Sequence, residues 1–395
     1  MEAVIIEEKP AFARGRVERV VQRSAARIEP PCQYFGRCGG CHYQHIGYHD
    51  QLAFKAEILK ETLRRVAKVD LPIEIETHAS PPLNYRNRTR FHLRSLPEFA
   101  IGYFRHGSRE LLPVRECPIS SPLINRALSA LWKAGEALQV PAEVNEVELF
   151  ANHGDDRLLA ELYVRDFHAK DTLCKLAGIM AELMPEATGI VAFQSAAGKP
   201  YRAQPPELLW GESTFSYMVN HQSYRVSAGA FFQTNRHLVG RMIDLAIAGR
   251  HGKLALDLYA GVGLFTLPLA RRFKRVIAVE SSSVSAEDLR ASAPGNVKVS
   301  SQSTRTYLAS AAGSLRPDLI VVDPPRTGLG NPVCQEISRL AASEIVYVSC
   351  DPATLGRDLK QLTKSGFKIV ELHLIDLFPQ TFHIETCAIL RRQVS

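Results

Sequence analysis

From about residue 230 onward the chain alternates short apolar runs with helical stretches. That alternation constrains the fold more than any other feature of the sequence. The runs are LALDLYA (254–260), RVIAVE (275–280), VKVSS (297–301), DLIVVDPP (318–325), EIVYVSC (344–350), KIVELHLID (368–376) and HIETCAILR (383–391). Several are apolar at nearly every position, as strands buried on both faces of a sheet are. The pattern predicts an α/β fold: over 226–395, a Rossmann-like domain with a doubly wound, seven-stranded, mostly parallel sheet. Such sheets bind ligands at the carboxyl ends of their strands.

The first run ends in a glycine turn, LDLYAGVGLFTLPLA (256–270), where Gly261 and Gly263 let the backbone bend sharply and approach a ligand. The third glycine of a dinucleotide fingerprint is missing, and the turn has no basic residue to meet a pyrophosphate. Glu280 ends the next strand, where an acid binds ribose hydroxyls. An uncharged turn with a ribose acid suits S-adenosylmethionine better than a nicotinamide dinucleotide. Asp323 and Cys350 end two further strands and should face the same crevice. Glu385 lies in the last run, and a buried glutamate in a strand is costly unless it is paired or working.

A methyl donor, a thiol and a carboxylate together suggest a particular chemistry. Carbon 5 of a pyrimidine is a poor nucleophile until a thiolate adds to carbon 6 and turns the ring into an enolate. A base must then remove the carbon 5 proton so that the thiolate can leave. One cysteine and one base suffice, here Cys350 and Glu385. Cys174, Cys334 and Cys387 lack such surroundings and read as structural.

Upstream, residues 46–67 read as an amphipathic helix with Leu52, Ala56, Leu59, Leu63 and Val66 on its apolar face. From about 84 to 225 short alternating segments predict a largely antiparallel β region, with helices near 121–138 and 170–184. The chain thus divides into a short N-terminal segment with a cysteine loop (1–45), a central α+β region (46–225) and the C-terminal domain. In YRNRTRFHLRS (85–95) the alternation puts Arg88, Arg90, His92 and Arg94 on one strand face. With Arg86 and Arg105 nearby, these arginines are candidate phosphate contacts for RNA.

Cys32, Cys38 and Cys41 follow a C-x5-C-x2-C spacing, and Cys117 stands far downstream, followed by Pro118. Three clustered thiolates and one distant one fit iron–sulfur ligation better than zinc, which usually takes two local pairs. Zinc and unligated cysteines remain alternatives on spacing alone.

The chain resembles the RNA uracil-5 methyltransferases that use S-adenosylmethionine. The resemblance runs over about 30–392 and rests on SAGAFFQTN (227–235), LDLYAGVGLFTLPLA, VDPPRTGL (322–329), YVSCDPATLGRD (347–358) and LFPQTFHIE (377–385). It implies that Cys350 is the nucleophile and Glu385 the proton acceptor. It implies that Gln233, Tyr259, Glu280 and Asp323 contact the donor, with Gly261 in the turn. It also implies a [4Fe-4S] cluster on the four cysteines and a uridine of 23S ribosomal RNA as target. The alternatives are the T-loop uridine of transfer RNA and, from another class, a non-catalytic RNA-binding or ribosome-assembly protein.

Only 31 residues precede Cys32, too few for a whole OB-type barrel, so 13–31 (ARGRVERVVQRSAARIEPP) is expected to be at most a remnant strand pair. A net charge of +7 is compatible with a polyanionic partner. Eight cysteines in 395 residues are too sparse for a disulfide scaffold, and no secretory signal or membrane-spanning run is evident. A monomeric cytoplasmic protein is the default expectation.

Overall fold

The computed structural model describes residues 1–10, 12–68, 74–165, 167, 170–194, 205–311, 315–340 and 342–393. The chain opens with an exposed antiparallel hairpin, β1 (Glu2–Lys9) and β2 (Phe12–Arg19), then a cysteine-bearing loop, helix α1 (Tyr48–Ala67) and strand β3 (Ile75–His78). The strand pair expected within 13–31 is therefore shifted: β2 is its second strand, and the first is EAVIIEEK. A central region follows, with β4 (Arg88–Arg94), β5 (Ala100–Phe104), β6 (Leu111–Pro113), α2 (Pro122–Glu136), β7 (Val144–Ala151), β8 (Leu158–Val164), α3 (Lys170–Leu183), β9 (Ala187–Gln194) and β10 (Glu207–Gly211). The hairpin β11 (Thr214–Val219) and β12 (Gln222–Ser227) leads into the C-terminal half. That half comprises α4 (Val239–Ile247), β13 (Gly252–Leu258), α5 (Thr266–Ala270), β14 (Phe273–Glu280), α6 (Ser283–Ser292), β15 (Val297–Ser301), α7 (Thr304–Ala311), β16 (Leu319–Val322), α8 (Gly330–Arg339), β17 (Glu344–Ser349), α9 (Pro352–Lys364), β18 (Phe367–Ile375) and β19 (Glu385–Arg392).

All seven apolar runs are strands of one sheet, ordered β15-β14-β13-β16-β17-β19-β18-β3. Strand β19 is inserted antiparallel between β17 and β18. The sheet has eight strands rather than seven, because β3 adds itself in parallel to the β18 edge. Helix α1 joins the same side of the molecule: its Val66 meets Gly356 of α9, where an added Cβ would come within 3.1 Å. Helix α1 and strand β3, expected within the central 46–225 region, thus pack with the C-terminal sheet. An apolar cluster also runs unbroken from Phe150, Tyr163 and Phe193 through Tyr217 and Phe232 to Val348 and Cys387.

Helix α1 departs from its expected face. Its buried residues are Gln51, Lys55, Leu59, Leu63 and Ala67, one step round from the purely apolar stripe. Gln51 and Lys55 are buried because distant partners satisfy them, as described below. The central strands form a second sheet, β10-β9-β8-β7-β4-β5-β6, antiparallel except for the β8–β9 pair across α3. No helix among the described residues is long and apolar enough to cross a membrane.

Candidate active site

The YVSCDPATL segment works as a strand-to-helix hinge. Strand β17 ends at Ser349, Asp351 caps α9 by accepting the Thr354 amide at 2.8 Å, and Pro352 takes the first helical turn. There its missing N–H leaves no orphan beyond those a helix start already has. Cys350 sits between strand and cap, half-buried. The β17–β19 register pairs Glu344 with Arg391 and Ser349 with Thr386. Continued by one step, it sets Cys350 opposite Glu385. Directly opposed antiparallel residues carry Cβ atoms about 5 Å apart, within mutual reach of one small substrate ring.

Asp323 follows β16, whose last residue pairs with Leu258 on one side and Tyr347 on the other. Asp323 and Glu385 are poorly hydrated and close to each other, so both carboxyls hold their protons more tightly than usual, Glu385 strongly so. Burial, helped by these two acids, pushes the Cys350 thiol up to about 11, against the pull of Arg326. The N-terminus of α9 favours a thiolate, but desolvation and the two neighbouring acids outweigh it.

At the glycine turn, Tyr259 (φ 65°), Gly261 (φ 55°) and Gly263 (φ 95°) all take left-handed backbone. For tyrosine that conformation is strained. An added Cβ at Gly263 would lie 2.4 Å from Leu289, whereas one at Gly261 would meet no atom within 4 Å. The turn is thus packed on one side and open on the other. Glu280 holds it, accepting the Gly261 amide at 2.8 Å and the Ser282 amide at 2.6 Å. Gln233, 8% exposed, lies in the 227–235 loop, which Asn235 ties to the Leu377 carbonyl at 3.1 Å.

Three contributors escaped the sequence reading. Asp257, fully buried under the turn, has its pKa pushed up to about 7, first by burial, and its Oδ1 has no hydrogen-bond partner. Arg326 lies 3.3 Å from Nδ1 of His383, whose pKa falls to about 4 through burial and that arginine. The third is a polar clamp on the loop before Glu385. Lys55 binds Asp376 at 2.7 Å and the Phe378 carbonyl at 3.0 Å, both side chains being fully buried. Gln51 exchanges hydrogen bonds with Gln380, and the Gln380 carbonyl accepts the His42 and Tyr43 amides at 2.8 and 2.9 Å. Only the sequence separation, more than 320 residues, hid these pairs.

Two of the five arginines proposed for RNA are corrected. Arg88, 6% exposed, is enclosed by Glu148, Glu161 (3.2 Å) and the Ala230 carbonyl (2.6 Å). Arg90 pairs with Glu148 at 2.6 Å and Glu146 at 3.2 Å, and donates to the Tyr163 hydroxyl at 2.7 Å. A phosphate would have to displace carboxylates that already neutralise them. The alternation was read correctly, but the face it describes meets the acidic face of β7 and β8. Arg86 lines the cysteine cavity, while Arg94 is exposed and Arg105 pairs with the exposed Glu110 at 2.8 Å.

Cys32, Cys38, Cys41 and Cys117 converge on one cavity of about 370 Å³, with Arg86, Thr381 and His383 also in its wall. None is in a disulfide. The Gly40 amide points at Cys38 Sγ (3.4 Å), the Tyr34 and Phe35 amides face the Cys32 sulfur, and Gln44 reaches Cys41. N–H groups directed at sulfur suit thiolate ligands of a cluster. The cavity wall shares Thr381 and His383 with the loop that leads to Glu385.

The chain is similar to known proteins over most of its length. The model of a family described as tRNA (Uracil-5-)-methyltransferase matches residues 47–393. A Thermotoga maritima protein named an uncharacterized RNA methyltransferase is 31% identical over 97% of this chain and 89% of its own length. A Pseudomonas entomophila protein named 23S rRNA (uracil(1939)-C(5))-methyltransferase RlmD is 31% identical over 98% of this chain and 86% of its own. Among solved structures, the Pyrococcus abyssi tRNA (uracil-54, C5)-methyltransferase in complex with S-adenosyl-L-homocysteine superposes with a TM-score of 0.78. It is 23% identical and covers 99% of this chain and 92% of that one, a likeness of fold.

Proposed function

The chain belongs to the tRNA (uracil-5-)-methyltransferase family, and from that premise we propose that it methylates carbon 5 of a uridine in 23S ribosomal RNA, with S-adenosylmethionine as donor. The observation that carries this reading is the register that opposes Cys350 to Glu385 beside a glycine turn. Ribosomal RNA is the substrate in the names of several relatives that match nearly the whole chain.

The donor site is built from the turn at Gly261, the Glu280 carboxylate, Tyr259, Gln233 and Asp323, and the open space over Gly261 gives room for a ligand. When bound, the donor supplies an electrophilic methyl on a positively charged sulfur. That charge would offset the crowding of Asp323 and Glu385, the same crowding that helps raise the Cys350 pKa. Once deprotonated, Cys350 adds to carbon 6 of the uracil and the electron pair moves to the carbon 4 oxygen. Carbon 5 would take the methyl as the donor's methyl–sulfur bond breaks and its sulfur leaves neutral as S-adenosylhomocysteine; Glu385 would then remove the carbon 5 proton, and the Cys350–carbon 6 bond breaks as the ring double bond returns and the thiolate is released. A carboxylate with a raised pKa is a better proton acceptor than an ordinary one. His383, neutral beside Arg326, lies in the wall of the cysteine cavity two residues before Glu385.

The target base must leave its stack to reach Cys350. Exposed Phe382, three residues before Glu385, packs on His42 and His383 at 4.5 Å each and offers a stacking face for nearby nucleotides. Arg94 and Arg105 remain phosphate contacts. The four cysteines would hold a [4Fe-4S] cluster, a structural group that anchors His42 and Tyr43 against the Gln380 loop.

The test is to incubate the purified protein with labelled S-adenosylmethionine and either 23S or transfer RNA transcripts, and to map 5-methyluridine by mass spectrometry. Methylation of one 23S fragment is expected. Exclusive methylation of transfer RNA would move the substrate to the T-loop, and no methyluridine in either RNA would overturn the reading.

A further inference from the structure

The free edge of the eight-stranded sheet carries a second cluster, remote in role from the chemistry above. Glu76 and His78 share one face of β3, and the register sets Glu76 against His373 of β18. His78 Nε2 lies 3.2 Å from His373 Nδ1. One Glu76 oxygen is 3.3 Å from that same Nδ1, and the other is 3.6 Å from His78 Nε2. Both histidines are nearly buried, at 9% and 4% exposure. Four ligands about 2.0–2.1 Å from a tetrahedral ion stand about 3.3–3.4 Å apart. The nitrogen–nitrogen separation of 3.2 Å and the approaches of the two Glu76 oxygens, 3.3 Å to His373 and 3.6 Å to His78, lie close to that value.

We propose that Glu76, His78 and His373 form a binding site for a divalent transition metal, zinc by ligand chemistry, which fastens β3 to the sheet edge. The fourth position opens on a cavity of about 350 Å³ lined in part by Arg241, Arg250, Glu344, Glu371 and Arg391, and water fills it. The outer nitrogen of His373 faces Glu371 at 3.3 Å, the carboxylate–histidine–metal arrangement that orients ligands. Arg241 is the competitor. Its guanidinium stands 3.3 Å from His78 Nδ1 and 3.2 Å from Glu76. In the metal-free chain Arg241 donates to His78 Nδ1. His78 then carries its proton on Nε2 and shares it with His373 Nδ1. The ion takes the place of that shared proton, the His78 proton moves to Nδ1, and the partly exposed Arg241 turns into the cavity.

The experiment titrates zinc into metal-stripped full-length protein whose cysteine site has been reconstituted. Bound zinc is read by elemental analysis and calorimetry, and cobalt substitution distinguishes the sites, because only thiolate ligands give sulfur-to-metal charge-transfer bands. Wild type is expected to take one zinc beyond the cysteine site, and His78→Gln and His373→Gln to lose it. Should either fail to fold, Glu76→Gln, at an exposed carboxylate, keeps the test valid with an affinity at least tenfold weaker. Glu371→Gln should cost about 10–100-fold, and Arg241→Met should tighten binding. Equal zinc content in wild type and His373→Gln, or no zinc beyond the cysteine site, would overturn the proposal. Neither outcome depends on methyl transfer.

Discussion

Two of the buried groups of charged side chains in this molecule are built on opposite terms. Under the 227–235 loop, Arg88 and Arg90 meet Glu146, Glu148 and Glu161, with His92 on Glu146 at 3.1 Å and Tyr163 bridging to Glu161 at 2.6 Å. Positive and negative charge nearly cancel there, and the remaining hydrogen bonds reach the loop backbone at Ala230 and Gly229. In the candidate site Asp323 and Glu385 crowd the Cys350 thiol, Asp257 adds a further buried acid beside Asp323, and the nearby cation, Arg326, is exposed. The first group shapes a loop. The second is left unbalanced and suits a cationic ligand. Buried charge marks function here where it is uncompensated, not where it is abundant.

Substitution at each group breaks that comparison differently. Cys350→Ala should abolish methyl transfer while leaving RNA binding intact; measurable turnover would remove the nucleophile. Glu385→Gln should slow turnover by about 10²–10⁴-fold, the usual range for a lost proton transfer, and accumulate an RNA–protein adduct visible on denaturing gels. In the balanced group, Arg88→Met removes one cationic partner of the buried Glu148 and Glu161 and should cost about 3–5 kcal/mol by denaturant unfolding, an effect on stability first and on activity only through the loop.

A pH-dependent contrast follows. The carboxyl of Asp323 binds its proton more tightly folded than unfolded. Its stabilising contribution is therefore complete below about pH 4 and lost as pH rises through the raised value. Asp323→Asn should raise the thermal midpoint of ligand-free protein at pH 8 and leave it nearly unchanged at pH 4, while weakening donor binding. A lower midpoint at pH 8 would show that this acid is compensated after all. The smallest effect belongs to the surface: Arg94→Ala and Arg105→Ala should each lower the salt slope of RNA binding by about 1, whereas the buried Arg88 should leave that slope unchanged.

The parts legible in the sequence are those set by local periodicity. The seven C-terminal strands, the glycine turn and the cysteine spacing can be read from neighbours in the chain, because burial on two faces and left-handed turns select residue types locally. Partnership across the chain is not written that way. Lys55 looks like a solvated residue on a helix until Asp376 arrives. Arg88 and Arg90 look like an RNA-binding stripe until the acids of β7 and β8 cover them. The eighth strand, IETH, is too short and polar to announce itself, and only pairing with β18 makes it one.

Strand order has a consequence for how the enzyme comes into being. β19 follows β18 in the chain but lies between β18 and β17, so those two strands cannot be joined until 385–392 arrives. Glu385 is the first residue of that strand. A nascent chain still lacking it exposes two unpaired inner edges, the most adhesive surfaces a sheet can show. Closure of the sheet and placement of Glu385 opposite Cys350 thus fall at one moment.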